Sequence, residues 1–157
     1  MRYVLKQKFW TLGQSFSIKN ADDRELAVVD GNIDVSPNRL TFADPQGTEY
    51  ASITRNGQHS FIVARGQENV AWIAPRADGD MKRHRFRIDM PMRPDLKYVE
   101  TLGLMRAFEL RRGEVVVAAA SQQPAMGGDL YHVDIPDTED AVLILAIVIV
   151  IDLMLDA

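Results

Sequence analysis

Three arginines at alternate positions, Arg83, Arg85 and Arg87, with Lys82 and His84 among them, form the set best placed to do chemistry in this sequence. On a β-strand, alternate residues share one face about 6.6–7 Å apart. That spacing lines up guanidiniums as a ladder for phosphate or carboxylate oxygens. Phe86 and Ile88 interleave with them and would point the other way. Lys82, Arg83, Arg85 and Arg87 are therefore the candidate ligand-binding residues, for an anion such as a phospholipid head group. The same pattern also suits an outward strand face whose arginines pair with acids on neighbouring strands, and both readings stand at this point.

Other chemistry is sparse. His59, His84 and His132 are far apart and form no metal-binding pair, and the chain has no cysteine. No zinc site is expected, and each histidine reads as a strand residue. A nucleophile elbow, a phosphate-cradling glycine loop and a dinucleotide fingerprint are all missing from the sequence. No catalytic residue, metal or cofactor is assigned, and the chain is not expected to be an enzyme. Asp152 is the odd residue, a carboxylate close to the end of an apolar run. It either reaches solvent or is a buried acid with a raised pKa.

Charge is uneven along the 157 residues. Residues 81–112 hold nine Lys or Arg against four acids, whereas residues 113–157 hold eight acids and no Lys or Arg. The two excesses could face each other, or the first could form a local anion-binding patch. Nucleic acid is not an expected partner, because the pI is about 5.3 and no reader motif is present.

The element that must organise everything else is the run Ala141 to Ile151, eleven apolar residues without interruption, then Asp152 and Leu153-Met154-Leu155. A membrane span needs about 20 such residues, and no Lys or Arg flanks this one. The chain is not expected to be transmembrane. Seven of the eleven are Val or Ile, which favours a strand, but fifteen residues would make a strand of roughly 50 Å. As a helix the run covers about 22 Å, the width of a small domain. Pro136 to Asp140 supplies capping side chains, Asp137 or Thr138, and acids suited to the positive end of a helix. A central helix at about 138–155 is expected, buried on every side.

Before residue 136 the pattern is short alternating runs separated by turns. These include 3–9, 15–19, 25–29, 33–35, 39–42, 50–54, 60–64, 69–73, 82–88, 96–99, 107–110, 115–119 and 131–135. Asn56-Gly57 is the strongest hairpin signal, and the longest loop is Ser121 to Asp129. About a dozen strands with turns every 8–12 residues read as an all-β sandwich or barrel. A helix apolar all round fits the closed form. The expected fold is mainly β, a closed antiparallel barrel of about 12 strands around a central hydrophobic C-terminal helix, in a single domain spanning 1–157. A sandwich with the helix outside would expose an apolar patch of several hundred Å².

Particular residues bring a family into view. Tyr3-Val4-Leu5-Lys6-Gln7-Lys8, Leu12 to Ile18, Val29-Asp30-Gly31, Leu40 to Asp44 with Gly47, Tyr131-His132-Val133, Asp140 to Ala146 and Ile151-Asp152 resemble the LURP-one-related family. That family groups with the tubby C-terminal domains and the phospholipid scramblases. The resemblance covers nearly the whole chain and implies a twelve-stranded barrel around a C-terminal helix, with no common reaction. Tubby domains bind phosphoinositide head groups through basic residues outside the barrel, though no Lys/Arg pair of theirs aligns here. Scramblases carry an acidic stretch, proposed to bind calcium, before the terminal helix; Asp129, Asp134 and Asp137 lie in that region without an EF-hand pattern.

The functional expectation is a non-enzymatic binding or scaffolding domain, meeting an anionic membrane surface or a protein partner through its outer face. The alternatives are a protein–protein scaffold with no lipid ligand, or an enzyme using the Ser121–Asp129 loop. The chain is expected to act as a monomer in the cytoplasm, since no apolar stretch follows the charged N-terminus as in a secretory signal.

Overall fold

The computed structural model describes residues 1–8, 13–76 and 85–156. Alternating apolar and polar residues set the strands. These are β1 (Arg2–Gln7), β2 (Gln14–Asn20), β3 (Glu25–Asn32), β4 (Arg39–Ala43), β5 (Glu49–Arg55) and β6 (Phe61–Arg65). They continue as β7 (Glu68–Pro75), β8 (Phe86–Asp89), β9 (Leu96–Thr101), β10 (Ala107–Arg112), β11 (Val115–Gln123) and β12 (Leu130–Asp134), before α1 (Ala141–Leu155). Each strand pairs antiparallel with its neighbour in sequence, and β1 closes the barrel against β12. In that closing ladder Leu5 stands opposite Tyr131 on one side and Ile18 on the other, all three inward and buried. Closure leaves no sheet edge for another chain to extend.

The helix fills the barrel. Every residue from Leu143 to Asp152 is buried, so α1 has no wet face, and its poor intrinsic propensity is overridden by the wall around it. It runs closest to β5, β6, β7 and β11. Inward residues on that side include Ala51, Ala71, Ala118 and Ala120, small enough to let the backbones approach. Phe16, Phe108 and Tyr131 fill the space elsewhere. Two ion pairs anchor the start of α1 to the wall: Arg65 Nη1 to Asp140 Oδ2 at 2.6 Å and Arg112 Nη2 to Glu139 Oε1 at 2.9 Å.

Three local expectations are corrected. Asp140, not Asp137 or Thr138, caps the helix, its side chain accepting from Leu143 N, and the helix begins at Ala141 rather than about 138. The reason is a preceding turn, closed by Glu139 N donating to Pro136 O. Residues 33–35 are not a strand: β3 runs on to Asn32, whose side chain then accepts from Asp34 N and Val35 N and bends the chain. Asn56-Gly57 does connect β5 to β6, but within a five-residue loop closed by Asn56 N donating to Ser60 O.

Candidate functional site

Strand β8 shows the alternation the sequence implied: Phe86 and Ile88 are buried, while Arg85 and Arg87 are exposed. Lys82 and Arg83, the other two candidates, and His84 lie outside the described residues. Among the described residues the β8–β9 ladder holds two register pairs, Arg87 opposite Lys97 and Ile88 opposite Leu96. Along this short seam lies a groove of about 690 Å³, lined by Arg76, Arg85, Arg87 and Lys97, the acids Asp89 and Asp95, and the rings of Phe86 and Tyr98. Sequence reasoning did not bring Arg76 and Lys97 to this site. Only the pairing of β7, β8 and β9 does.

Arg85, Arg87 and Lys97 are incompletely neutralised by the described acids. Arg87 Nε pairs with Asp89 Oδ2 at 2.8 Å, and Asp95 spends one oxygen on Met90 N at 3.0 Å. Neither Arg85 nor Lys97 has a carboxylate partner among the described residues. Like charges directly across an antiparallel pair are destabilising, and Arg87 and Lys97 are such a pair. An anion between them would relieve that repulsion. Aromatic edges from Phe86 and Tyr98, packed T-shaped at 4.8 Å, give the groove an apolar wall beside its charge.

A second polar cluster closes the mouth of the barrel where α1 ends. Asp152 is 0% exposed, so of its two readings the structure selects the buried acid over the solvent-facing one. Tyr131 OH donates to its Oδ1 at 2.8 Å. Arg106, from the β9–β10 loop, brings Nη1 to 2.6 Å from Asp156, 3.5 Å from Asp152 and 3.7 Å from Asp129. Carboxylate oxygens of Asp129, Asp152 and Asp156 all lie within 4.8 Å of one another. Burial, then the neighbouring Asp156 charge, pushes the Asp152 pKa up to about 8, with Asp129 adding to the rise and the Tyr131 hydrogen bond opposing it. Burial likewise raises the Asp156 pKa.

Gly128 makes this arrangement possible. Its φ of +144° suits glycine, and a Cβ there would overlap the Gln7 carbonyl oxygen. The close approach lets Gln7 N donate to Asp129 O at 2.8 Å, which holds the Asp129 side chain over the mouth.

The structure separates the three acids that the sequence left as a group. Asp129 joins the cluster at the end of α1. Asp134 sits at the opposite mouth, paired with Arg2 Nε at 2.8 Å, and that hydrogen bond lowers its pKa. Asp137 faces the Met1 amino nitrogen at 3.5 Å. His59 lies in the β5–β6 loop and His132 on β12, and neither joins a cluster of possible metal ligands among the described residues. Ser121 to Gln123 belong to β11, so the expected 121–129 loop shortens to 124–129, and none of these residues lines the 690 Å³ groove.

No helix among the described residues is long and apolar enough to cross a membrane. A solved X-ray structure of an Arabidopsis thaliana protein superposes with a TM-score of 0.62 at 12% identity, covering 97% of this chain and 91% of that one. At that identity the likeness speaks for the fold alone. No curated protein matches the sequence. The family profile described as LURP-one-related matches residues 1–152, and with the barrel and its enclosed helix in place, the chain belongs to the LURP-one-related family.

Proposed function

We propose that this barrel is a non-enzymatic binding domain that takes an anionic phospholipid head group in the groove between β7, β8 and β9. The observation that carries this reading is the Arg87–Lys97 pair facing across the β8–β9 seam, flanked by Arg76 and Arg85 in an open groove of about 690 Å³. Among the described lining residues four cations stand with two acids, on a protein whose overall charge is −4, a balance that favours an anion there. Guanidiniums suit phosphate oxygens through paired N–H donors. The tubby C-terminal domains with which the LURP-one-related family groups hold phosphoinositides through basic residues outside a barrel, which supports the same ligand class, although no Lys/Arg pair of theirs aligns here.

The test is co-sedimentation with liposomes containing a phosphoinositide, against liposomes of neutral lipid only. Binding is expected at low salt, weakening as salt rises, and is expected to fall at least about tenfold in the Arg85→Glu/Arg87→Glu variant, the equivalent of about 1.4 kcal/mol. An absence of binding at low salt removes the lipid reading. A protein scaffold is the second reading. It draws on exposed Leu102, Leu104 and Met105 in the β9–β10 loop and Met126 in the β11–β12 loop, a set of apolar side chains at one rim.

A further inference from the structure

The mouth cluster brings three carboxylates, Asp129, Asp152 and Asp156, against one guanidinium. β12 contributes the Tyr131 hydroxyl, and β11 contributes Gln122, whose Nε2 donates to Asp129 Oδ1 at 3.2 Å. The β9–β10 loop contributes Arg106, the β11–β12 loop Asp129, and β1 the Gln7 backbone N–H. Asp156, the C-cap of α1, adds the third carboxylate. The negative end of the helix dipole falls in the same place, with no basic residue in the last turn of α1.

Arg106 is committed mainly to Asp156, at 2.6 Å, and also donates to Leu155 O at 3.3 Å. What remains is one buried oxygen on each of two acids, Asp152 Oδ2 and Asp129 Oδ2, that accepts no hydrogen bond from the described residues, Asp129 Oδ2 keeping only a 3.7 Å approach to Arg106. Three carboxylates within 4.8 Å of one another share the one described guanidinium, Arg106, so full ionisation would leave a net negative cluster around the fully buried Asp152. A single proton between those two oxygens satisfies both atoms at once.

We propose that Asp152 is held as the neutral acid, donating its proton to the Asp129 carboxylate, and that the last turn of α1 is thereby a latch released when the proton is lost. In the closed form Asp152 Oδ1 accepts from Tyr131 and Oδ2–H donates to Asp129. On release the O–H bond breaks, the proton passes to solvent, and the new carboxylate repels Asp129 and Asp156. The loops that carry Arg106 and Asp129 also carry the highly exposed Leu104 and Met126, so the latch governs how this apolar rim is presented. Burial and the two neighbouring acids place the release close to neutral pH.

The experiment is hydrogen exchange of the full chain across pH 5 to 9, corrected for the intrinsic pH dependence of exchange. Alongside it, the carboxyl carbon of Asp152 is titrated by NMR. Protection of residues 153–156 is expected to fall by up to about tenfold per pH unit towards pH 8 and then level off, with Asp152 titrating well above the ordinary carboxylate range near 4. Asp152→Asn should keep its protection throughout, because its amide can accept from Tyr131 and donate to Asp129 in the same geometry. An Asp152 that titrates near 4 overturns the proposal, and so does an equal loss of protection in wild type and Asp152→Asn. Loss of protection at neutral pH on adding a chelator would put a metal ion where the proton is assigned, and overturns it equally.

Discussion

Tyr131 does two jobs at the mouth of the barrel: its ring packs in the core, 6.4 Å from Phe108 by centroid, and its hydroxyl answers Asp152. Tyr131→Phe keeps the ring and deletes the close donor, leaving buried Asp152 Oδ1 with only the 3.5 Å approach of Arg106 Nη1, at a cost of about 1–3 kcal/mol. The hydrogen bond favours the ionised form of Asp152, so its loss raises that pKa above the value of about 8. The sign follows from linkage. A carboxyl whose pKa is raised on folding contributes most stability below its unfolded value near 4, and that contribution is lost as pH rises through the folded value. Urea unfolding from pH 5 to 9 should therefore show the Asp152-dependent decline, at most about 1.4 kcal/mol per pH unit, extending to higher pH in Tyr131→Phe than in wild type. Gly128→Ala tests the same site from the backbone. It forces the β11–β12 loop off Gln7, and should lower the melting temperature and move Asp152 toward an ordinary carboxylate as Asp129 departs. Asp152 was visible in the sequence as an anomaly. Arg106 and Asp156 were not, because nothing local marks a loop arginine or a final acid as the neighbours of a residue they meet only in three dimensions.

At the scale of the element, the start of α1 depends on side chains tied to the wall. Asp140 caps Leu143 N and pairs with Arg65 on β6, so Asp140→Ala should cost about 1–2 kcal/mol in chemical denaturation, in the upper range for a lost cap. Arg65→Ala should incur only part of that cost, because the cap hydrogen bond survives it. Strand β8 poses the opposite case. Arg85, just before β8, and Arg87 project outward, and among the described residues their side chains make one ion pair, Arg87–Asp89. Arg85→Glu/Arg87→Glu should leave the melting temperature within a few degrees of wild type while abolishing head-group binding. The alternation of β8 was legible because a two-residue period needs only neighbours in sequence. The helix cap was misplaced by several residues because Asp137, Thr138 and Asp140 are all competent, and the turn closed by Glu139 N and Pro136 O decides among them.

For the whole molecule, the helix is both the core and the reason the barrel is filled. Ile147 is 0% exposed at the middle of α1, and Ile147→Ala should cost about 2–5 kcal/mol, since a closed wall collapses poorly onto a cavity. Ile147→Asp should prevent folding to the native barrel, as judged by loss of near-UV circular dichroism, because no cation is buried in the core among the described residues. The amino-acid sequence by itself determined that a run of eleven apolar residues had to be enclosed, that the rest would be strands, and that the two together required a closed barrel. These are consequences of composition and period, which act locally or through water and do not depend on which strand lies beside which. Only the tertiary structure decided that Lys97 faces Arg87, that Asp129 parts company with Asp134 and Asp137, and that Asp152 ends up dry against Tyr131. Those pairings are set by register and by the antiparallel run of β12 against α1, which places residues far apart in the chain within hydrogen-bonding distance, and a one-dimensional pattern carries no information about that distance.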